Sequence, residues 1–389
     1  MALAVPTIRT GALATAGLLA INADQLPVDM YEDVFEYDAS GSPLLTVVTK
    51  RLQTKRAKNP TVKHLEDQPV PEWDTITQTR IAGDTTVTVT NIAYHAIGDL
   101  IKHVVSGETA RITGINTGTS TLTITRSWGA TAAAGWTNGD YILNMGAAES
   151  EGDTSPEAKA TVTVTKTNFC QIMKTTVELS KTAENTANYG GSERTRQRRK
   201  AGARHARLWE QAWLHGEKNE DTSGAKPIRS MGGIDEHITS LVLAAGGVLT
   251  EPEFLDLLGD AMRHKVGAGP KRKGLLVSRE LGATMDMWGN NKLQTNVGAQ
   301  KTYGFSVSTY VSRFGTLDVI DHPLLEFGYA GYGYIIDWDG LIYRPARRTT
   351  LNPNIQAAGE DVWKDEYLTE ASGSFAQEMA FGKITGVTF

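Results

Sequence analysis

Cysteine is almost absent: Cys170 stands alone in 389 residues. No internal disulfide can form, which fits a reducing compartment and makes a thiolate metal site improbable. Long apolar runs are missing as well. Nothing reaches the roughly 18 residues of a membrane-spanning helix, and mean hydropathy is -0.28. Charge of one sign is not in large excess, because 39 Lys+Arg against 44 Asp+Glu leave a net charge of -5. Attraction to nucleic acid would therefore have to come from a local patch.

Catalytic signatures are lacking too. Gly269 and Gly274 have the spacing of a phosphate loop, but Leu275 and Leu276 stand where a lysine and a hydroxyl residue would be needed. Gly328, Gly331 and Gly333 do not follow the order that lets a helix end approach a pyrophosphate. The eight histidines form no H-E-x-x-H pair, and no G-x-S-x-G elbow presents a serine. Asp321-His322-Pro323 reads as a turn, and His205 and His215 as surface or packing residues. No catalytic, cofactor-binding or metal-binding residue is assigned, and the chain is not read as an enzyme.

What is present is organisation. Thr10–Ile21 has the texture of a signal-peptide apolar region, but Gly and Thr dilute it and Arg9 follows Pro6. It is expected to be an arm that becomes ordered against a neighbour rather than an export signal. Asp24 to Asp74 mixes acidic and apolar residues and suits a short helix, a turn at Ser40-Gly41-Ser42-Pro43, and a strand. Between Arg80 and Asn144 the texture is β: Val87 and Val89 alternate with threonines, as do Leu122 and Ile124. Turn pairs such as Gly83-Asp84, Ser106-Gly107 and Thr117-Gly118 separate the runs, so a small barrel or sandwich is expected, inserted in a larger domain.

Ser192 is a natural N-cap and Gly216 a natural stop, which predicts one long helix between them. Leu208, Trp209, Ala212 and Trp213 are expected to pack inward. Arg194, Arg196, Arg199, Lys200, Arg204 and Arg207, with Arg198, supply a basic face. That face is either balanced by Glu360, Asp361, Asp365 and Glu366 or turned toward phosphates or another subunit. With no aromatic residue among its cations, it would not read bases. Beyond Gly224, helices at Glu251–Lys265 and Glu280–Trp288 intersperse with strands at Gly274–Ser278, Phe305–Tyr310, Thr316–Ile320 and Tyr334–Trp338. The segment from Trp363 onward returns to strand-like alternation.

The order of these features resembles the tailed-bacteriophage major capsid (major head) proteins. The similarity is to the branch with a β-domain inserted in the extended loop. It rests on Gly41-Ser42-Pro43-Leu44, Glu72-Trp73 and Glu151-Gly152; on Val177 to Ala183 leading through Gly190 into the long helix; and on Leu208 to Gly216 ending it. Arg229 to Ile234, Glu366 to Glu370 and Ala380 to Ile384 complete it. One departure is Gly41-Ser42, where an acidic residue and a threonine usually precede the proline.

The resemblance implies an α+β, HK97-like major capsid protein fold. It implies an N-terminal arm and first turn over 1–44, an extended-loop stem over 45–79 and an inserted all-β domain over 80–148. A peripheral domain over 149–240 would hold the spine helix 192–215, followed by an axial domain over 241–344 and a return to the peripheral domain over 345–389. It implies hexamers and pentamers of an icosahedral head enclosing double-stranded DNA, assembled in the host bacterial cytoplasm. No cofactor and no membrane are implied; scaffold, portal and decoration proteins would be partners, with DNA held non-specifically. An encapsulin-like cargo shell and a tail or decoration protein are the alternatives.

Overall fold

The computed structural model describes residues 53–152, 160–186, 191–267, 271–292, 309–326 and 328–388. The arm and first turn expected over 1–44, the first eight residues of the stem, and Gly190 lie outside the described residues, as does most of the run begun at Phe305. Two compact units emerge. One is Leu65–Lys166; the other comprises the described residues of Met1–His64 and Thr167–Phe389.

β1 (Gln53–Thr54) and β2 (Thr61–Glu66) precede the first unit's strands. These are β3 (Trp73–Thr75), β4 (Thr86–Thr88), β5 (Asp99–His103), β6 (Thr109–Asn116), β7 (Thr121–Thr125) and β8 (Tyr141–Ala147). β9 (Val164–Phe169) pairs with β2 as a two-stranded ribbon, inside which the boundary between the units falls.

In the unit 65–166, the sheet order is β3-β8-β5-β6-β7-β4. An Ile76–Val89 bridge, with Thr77 N–H donating to Thr88 O and Thr90 N–H to Thr75 O, joins its two edges into a barrel. The period-two pattern explains the core. Val87, Val89, Leu122 and Ile124 turn inward with Ile76, Ile101, Ile112 and Trp136, while the intervening threonines face out. The barrel takes in Trp73–Thr75 and so starts upstream of the 80–148 span. That strand is three residues long, too short to alternate visibly, and its partner Tyr141–Leu143 lies far along the chain.

One end of this core is polar. Glu108, fully buried, accepts from Arg126 Nε and Nη2 (2.8 and 2.7 Å), from the Ser127 and Ala134 amides (both 3.1 Å) and from Trp136 Nε1 (3.0 Å). The Arg126 guanidinium stacks over Trp136 at 4.4 Å. Burial alone would raise the Glu108 pKa, but Arg126 and the two amides reverse this and bring it to about 2.

In the larger unit, β10 (Gln171–Ser180) leads into α1 (Lys181–Asn185) and α2 (Glu193–His215). Then come β11 (Asn219–Asp221), β12 (Ile228–Ser230), α3 (Ile234–His237), β13 (Val242–Gly247) and α4 (Glu251–Arg263). β14 (Arg272–Val277), α5 (Arg279–Lys292), β15 (Thr309–Val311), β16 (Thr316–Asp321) and β17 (Gly333–Ile336) follow. β18 (Leu341–Asn352), β19 (Val362–Phe375) and β20 (Gly382–Val387) complete the chain.

Two sheets organise this unit. One has the order β1-β18-β19-β10 and carries α2; the other, β13-β20-β17-β14-β16-β15, is mixed and carries α4 and α5. Thr250 and Glu253 form a capping box at α4, whose buried stripe is Phe254, Leu257, Leu258, Ala261 and Met262. The helix stops at Arg263, two residues before the expected end. Leu255, beside Phe254, is only partly buried.

The glycine motifs have packing explanations. A Cβ on Gly274 would sit 2.1 Å from the Trp338 ring, and one on Gly331 would sit 2.2 Å from Val387 O. Lys273, beside Gly274, is buried with its ammonium donating to Ala261 O (2.7 Å), His264 O (2.8 Å) and Ala380 O (2.5 Å). Its job is to tie α4 and the chain before β20 to β14.

Candidate assembly and nucleic-acid interface

α2 begins because the Ser192 hydroxyl accepts from Thr195 N–H, and ends at Gly216, where a Cβ would meet Ala212 O and Met231 O at 2.4 Å. Its 23 residues span about 34 Å. Ala201, His205, Trp209 and Trp213 form the buried stripe, joined by Glu210 and Leu214, with Ala212 partly buried against the same core. Leu208, expected to pack inward, is instead 37% exposed. The two tryptophans fix the helical phase, and His205 takes the inward place one turn earlier, between Thr175 Oγ1 (2.9 Å) and Thr369 Oγ1 (2.7 Å). Burial holds its pKa below the usual value.

The expected basic face is divided. Arg194 donates to Asp365 through Nε (2.9 Å) and Nη2 (2.7 Å) and lies over the Trp363 ring at 4.5 Å. Arg198 Nε reaches the same carboxylate at 2.7 Å, and the Asn354 amide donates to it at 3.0 Å. Asp365 is 2% exposed, and Arg194, with Arg198 and that amide, holds its carboxyl well below the usual range. Arg196 is bound by Glu193 on its own helix at 2.8 and 2.7 Å. So Arg194 and Arg196 are each paired within the subunit. Arg199, Lys200 and Arg204 remain exposed and Arg207 half-buried; Arg199, Lys200 and Arg207 carry interactions of their own.

Of the acidic segment, only Asp365 meets this helix as a clamp. Asp361 pairs with Lys181 and Glu366 with Lys174. An aromatic partner for the helix does exist, but Trp363 comes from β19 and serves Arg194, not a base. Between α2 and β10 runs a groove of about 410 Å³, lined by Val177, Leu179, Ala201, Lys200 and Arg204 among others.

Two polar anchors escaped the sequence reading. His322 Nε2 and Glu210 Oε1 lie 2.6 Å apart with neither side chain exposed, tying α2 to the residue after β16. Asn168 donates to Gly232 O (3.0 Å) and Gly373 O (2.9 Å) and accepts from the amides of Gly232 (2.9 Å) and Phe169 (2.8 Å), saturating its amide group. Among the described residues no His, Cys, Asp and Glu group could hold a metal ion, and no helix is long and apolar enough to cross a membrane.

A family model described as SU10 major capsid protein matches residues 10–388. No curated protein matches the chain. Among solved structures, the capsid of a native GTA particle aligns over 96% of this chain and 98% of its own, at 9% identity and TM-score 0.52. A chain of Gordonia phage Cozz aligns over 100% and 99%, at 10% identity and TM-score 0.51. One from Mycobacterium phage Cain aligns over 96% and 98%, at 11% identity and TM-score 0.51. At such identities the likeness speaks for the fold.

Proposed function

The chain belongs to the SU10 major capsid protein family, and from that premise we propose how the subunit builds its shell. It is a structural major capsid protein of HK97-like fold, not an enzyme, and copies of it assemble as the capsid of a virion. The match along residues 10–388 carries this reading, and it favours neither a cargo shell nor a tail protein.

The finer reading has hexamers and pentamers closing an icosahedral head around double-stranded DNA. Assembly takes place in the host cytoplasm, with scaffold and portal proteins as partners. Residues 241–344 act as the axial domain; 149–240 and 345–389 form the peripheral domain; 45–79 and the β-insert reach a neighbour, as does the arm 1–44. Exposed apolar side chains support contact between copies: Val311 is 75% exposed, Ile228 71% and Val248 69%. For the spine-helix cations, the inter-subunit reading is preferred to a DNA lining, because Arg194, Arg196 and Arg198 are already paired with carboxylates of their own subunit. DNA is then enclosed rather than gripped, consistent with a net charge of -5.

Electron microscopy of the purified recombinant chain tests the central claim. Closed shells are expected. A population of monomers or open tubes under every assembly condition would reject it.

A further inference from the structure

The barrel of the unit 65–166 has an outer surface of two kinds. In β5 and β8 the inward residues are Ile101, His103 and Ile142, so strand alternation turns Leu100, Lys102 and Val104 outward on one strand and Tyr141, Leu143 and Met145 on the other. Register extends this face sideways. Trp73 lies opposite Leu143, Leu143 opposite Lys102, and Lys102 opposite Thr109, whose carbonyl accepts from the Trp128 amide. From Trp73 to Trp128 the row covers four strand spacings, about 19 Å along the surface. Trp73 is 48% exposed, Trp128 49% and Tyr141 52%. Trp73 meets Tyr141 edge to face with ring centroids 5.5 Å apart, and Arg111 lies over the Trp128 ring at 5.4 Å. On β4 and β7 the outward positions are threonines instead: Thr86, Thr88, Thr121 and Thr123.

Charge on the aromatic face has one sign, although the unit as a whole is acidic, with twelve carboxylates against six cations. Its cations are Lys102 and Arg111, and Arg111 Nε, shielded from water, has no hydrogen-bond partner among the described residues. The carboxylates between Trp73 and Ala147 are held elsewhere. Asp74, Asp84, Asp99, Glu108 and Asp140 accept from the amides of Asn91, Ile81, Ala96, Ser127 and Thr137 respectively. Glu72 alternates with Trp73 and takes the opposite phase.

The apolar part of the face is small for a protein partner. At roughly half exposure, Trp73, Tyr141, Leu143, Met145 and Val104 offer on the order of 450 Å², against about 800 Å² per partner in a stable protein contact. Sugar rings suit it better. Their C–H faces are apolar and stack on indole and phenol rings, while their hydroxyls can reach polar groups such as Thr109 between the two tryptophans. Cations unaccompanied by carboxylates select an acidic sugar over a neutral one. Duplex nucleic acid keeps its base faces stacked inside and has no use for an aromatic row.

We propose that this face of the barrel binds an acidic polysaccharide, with Trp73 and Trp128 stacking sugar rings at the two ends of the row and Lys102 and Arg111 meeting their carboxylates. The activity goes beyond shell building and does not depend on it, since every residue involved lies within one compact unit.

Calorimetric titration of the full chain, assembled or not, with polygalacturonate fragments tests the assignment. Binding is expected, and Trp73→Ala or Trp128→Ala should weaken it about tenfold. Lys102→Gln with Arg111→Gln should weaken it about tenfold as well and remove most of its salt dependence. Neutral dextran fragments should bind at least about tenfold less tightly than polygalacturonate. Saturating polygalacturonate should also shift the parent's tryptophan emission, a readout that needs no variant. Failure of the parent to bind polygalacturonate overturns the proposal, as does an unmoved emission spectrum on binding. Equal binding of polyacrylate, which carries carboxylates but no rings, would reduce the effect to charge and overturn it. So would equal or tighter binding of oligo-dT, which would assign the face to single-stranded nucleic acid, and so would tryptophan variants of parental affinity and unchanged circular dichroism.

Discussion

Removing the Asp365 carboxylate isolates one electrostatic clamp of the larger unit. In Asp365→Ala, three guanidinium hydrogen bonds of 2.7 to 2.9 Å and the Asn354 amide bond are lost together. The Arg194 and Arg198 side chains, 14% and 29% exposed, lose the carboxylate they share. Breaking a buried ion pair by removing one partner costs about 3 to 5 kcal/mol. The residual exposure of Arg198 keeps the expectation inside that range, since water can resolvate part of it. Asp365→Asn retains one acceptor and the side-chain volume, so about 2 kcal/mol is expected. Urea unfolding followed by tryptophan fluorescence reads both, with Trp363 stacked against Arg194 at the clamp. With a slope of about 3 kcal/mol per molar, the alanine variant should lose about 1 M or more in midpoint. The sign of the pH dependence is fixed by the depressed carboxyl. Its contribution is complete above the unfolded value of about 3.9 and disappears as pH falls through the lower folded value. The gap between parent and Asp365→Asn should therefore close in acid. Adding Arg194→Ala to Asp365→Ala should cost less than the sum of the single changes, because one stranded cation is gone. A midpoint shift of the alanine variant below about 0.3 M, or strict additivity in that cycle, would refute the clamp.

Glu108→Ala should cost the β-unit about 3 to 5 kcal/mol, because Arg126 is left buried without its carboxylate; hydrogen exchange should report it as lost protection over residues 127–136. Parent Glu108, with a folded pKa of about 2, contributes stability that is complete above about pH 4.5 and lost only toward pH 2. Acid-induced exchange in that loop at pH 4 would contradict this. Cys170 is 3% exposed and burial pushes its thiol up to about 11, so it should resist maleimide at pH 8 until the protein unfolds. Rapid labelling of the native chain would show that its environment is misread. His322→Ala removes the 2.6 Å contact with buried Glu210 and should cost about 1 to 3 kcal/mol; a change under about 0.5 kcal/mol in urea unfolding would show that the pair does not hold α2 to the second sheet.

Local chemistry accounts for what was legible in the sequence. The Thr-Val alternation specified which side chains of the barrel face inward, because strand geometry needs only neighbours two apart. Ser192 and Gly216 marked the helix, because caps answer to the backbone immediately beside them. The phase of that helix was less readable. Leu208 and His205 compete for the inward stripe, and hydropathy alone prefers leucine. The outcome depends on Thr369, 164 residues from His205, offering a hydroxyl to the imidazole. Asp365 was visible as part of an acidic segment but not as its one buried member. Only the register that sets β19 against β10, with Asp365 opposite Val177, singles it out. Glu108 carries no local signal at all, since its five donors come from residues 18 to 28 positions away.

The buried polar anchors have a common arrangement that bears on assembly. Asp365 with Arg194 and Arg198 links α2 to β19; His322 with Glu210 links α2 to the end of β16; Lys273 links β14 to α4 and the chain before β20. Each is a junction between elements distant in sequence, and each is directional. Apolar packing tolerates small rotations of a helix over a sheet, whereas bidentate or multiply accepted charge contacts do not. A shell subunit repeated many times multiplies any angular error at each contact, so fixed internal geometry matters more there than the modest net stability such pairs confer. On this argument, variants that replace the Asp365 clamp with apolar residues of similar volume should stay folded yet close shells of less uniform diameter. A size distribution as narrow as that of the parent would show that the clamp serves stability alone.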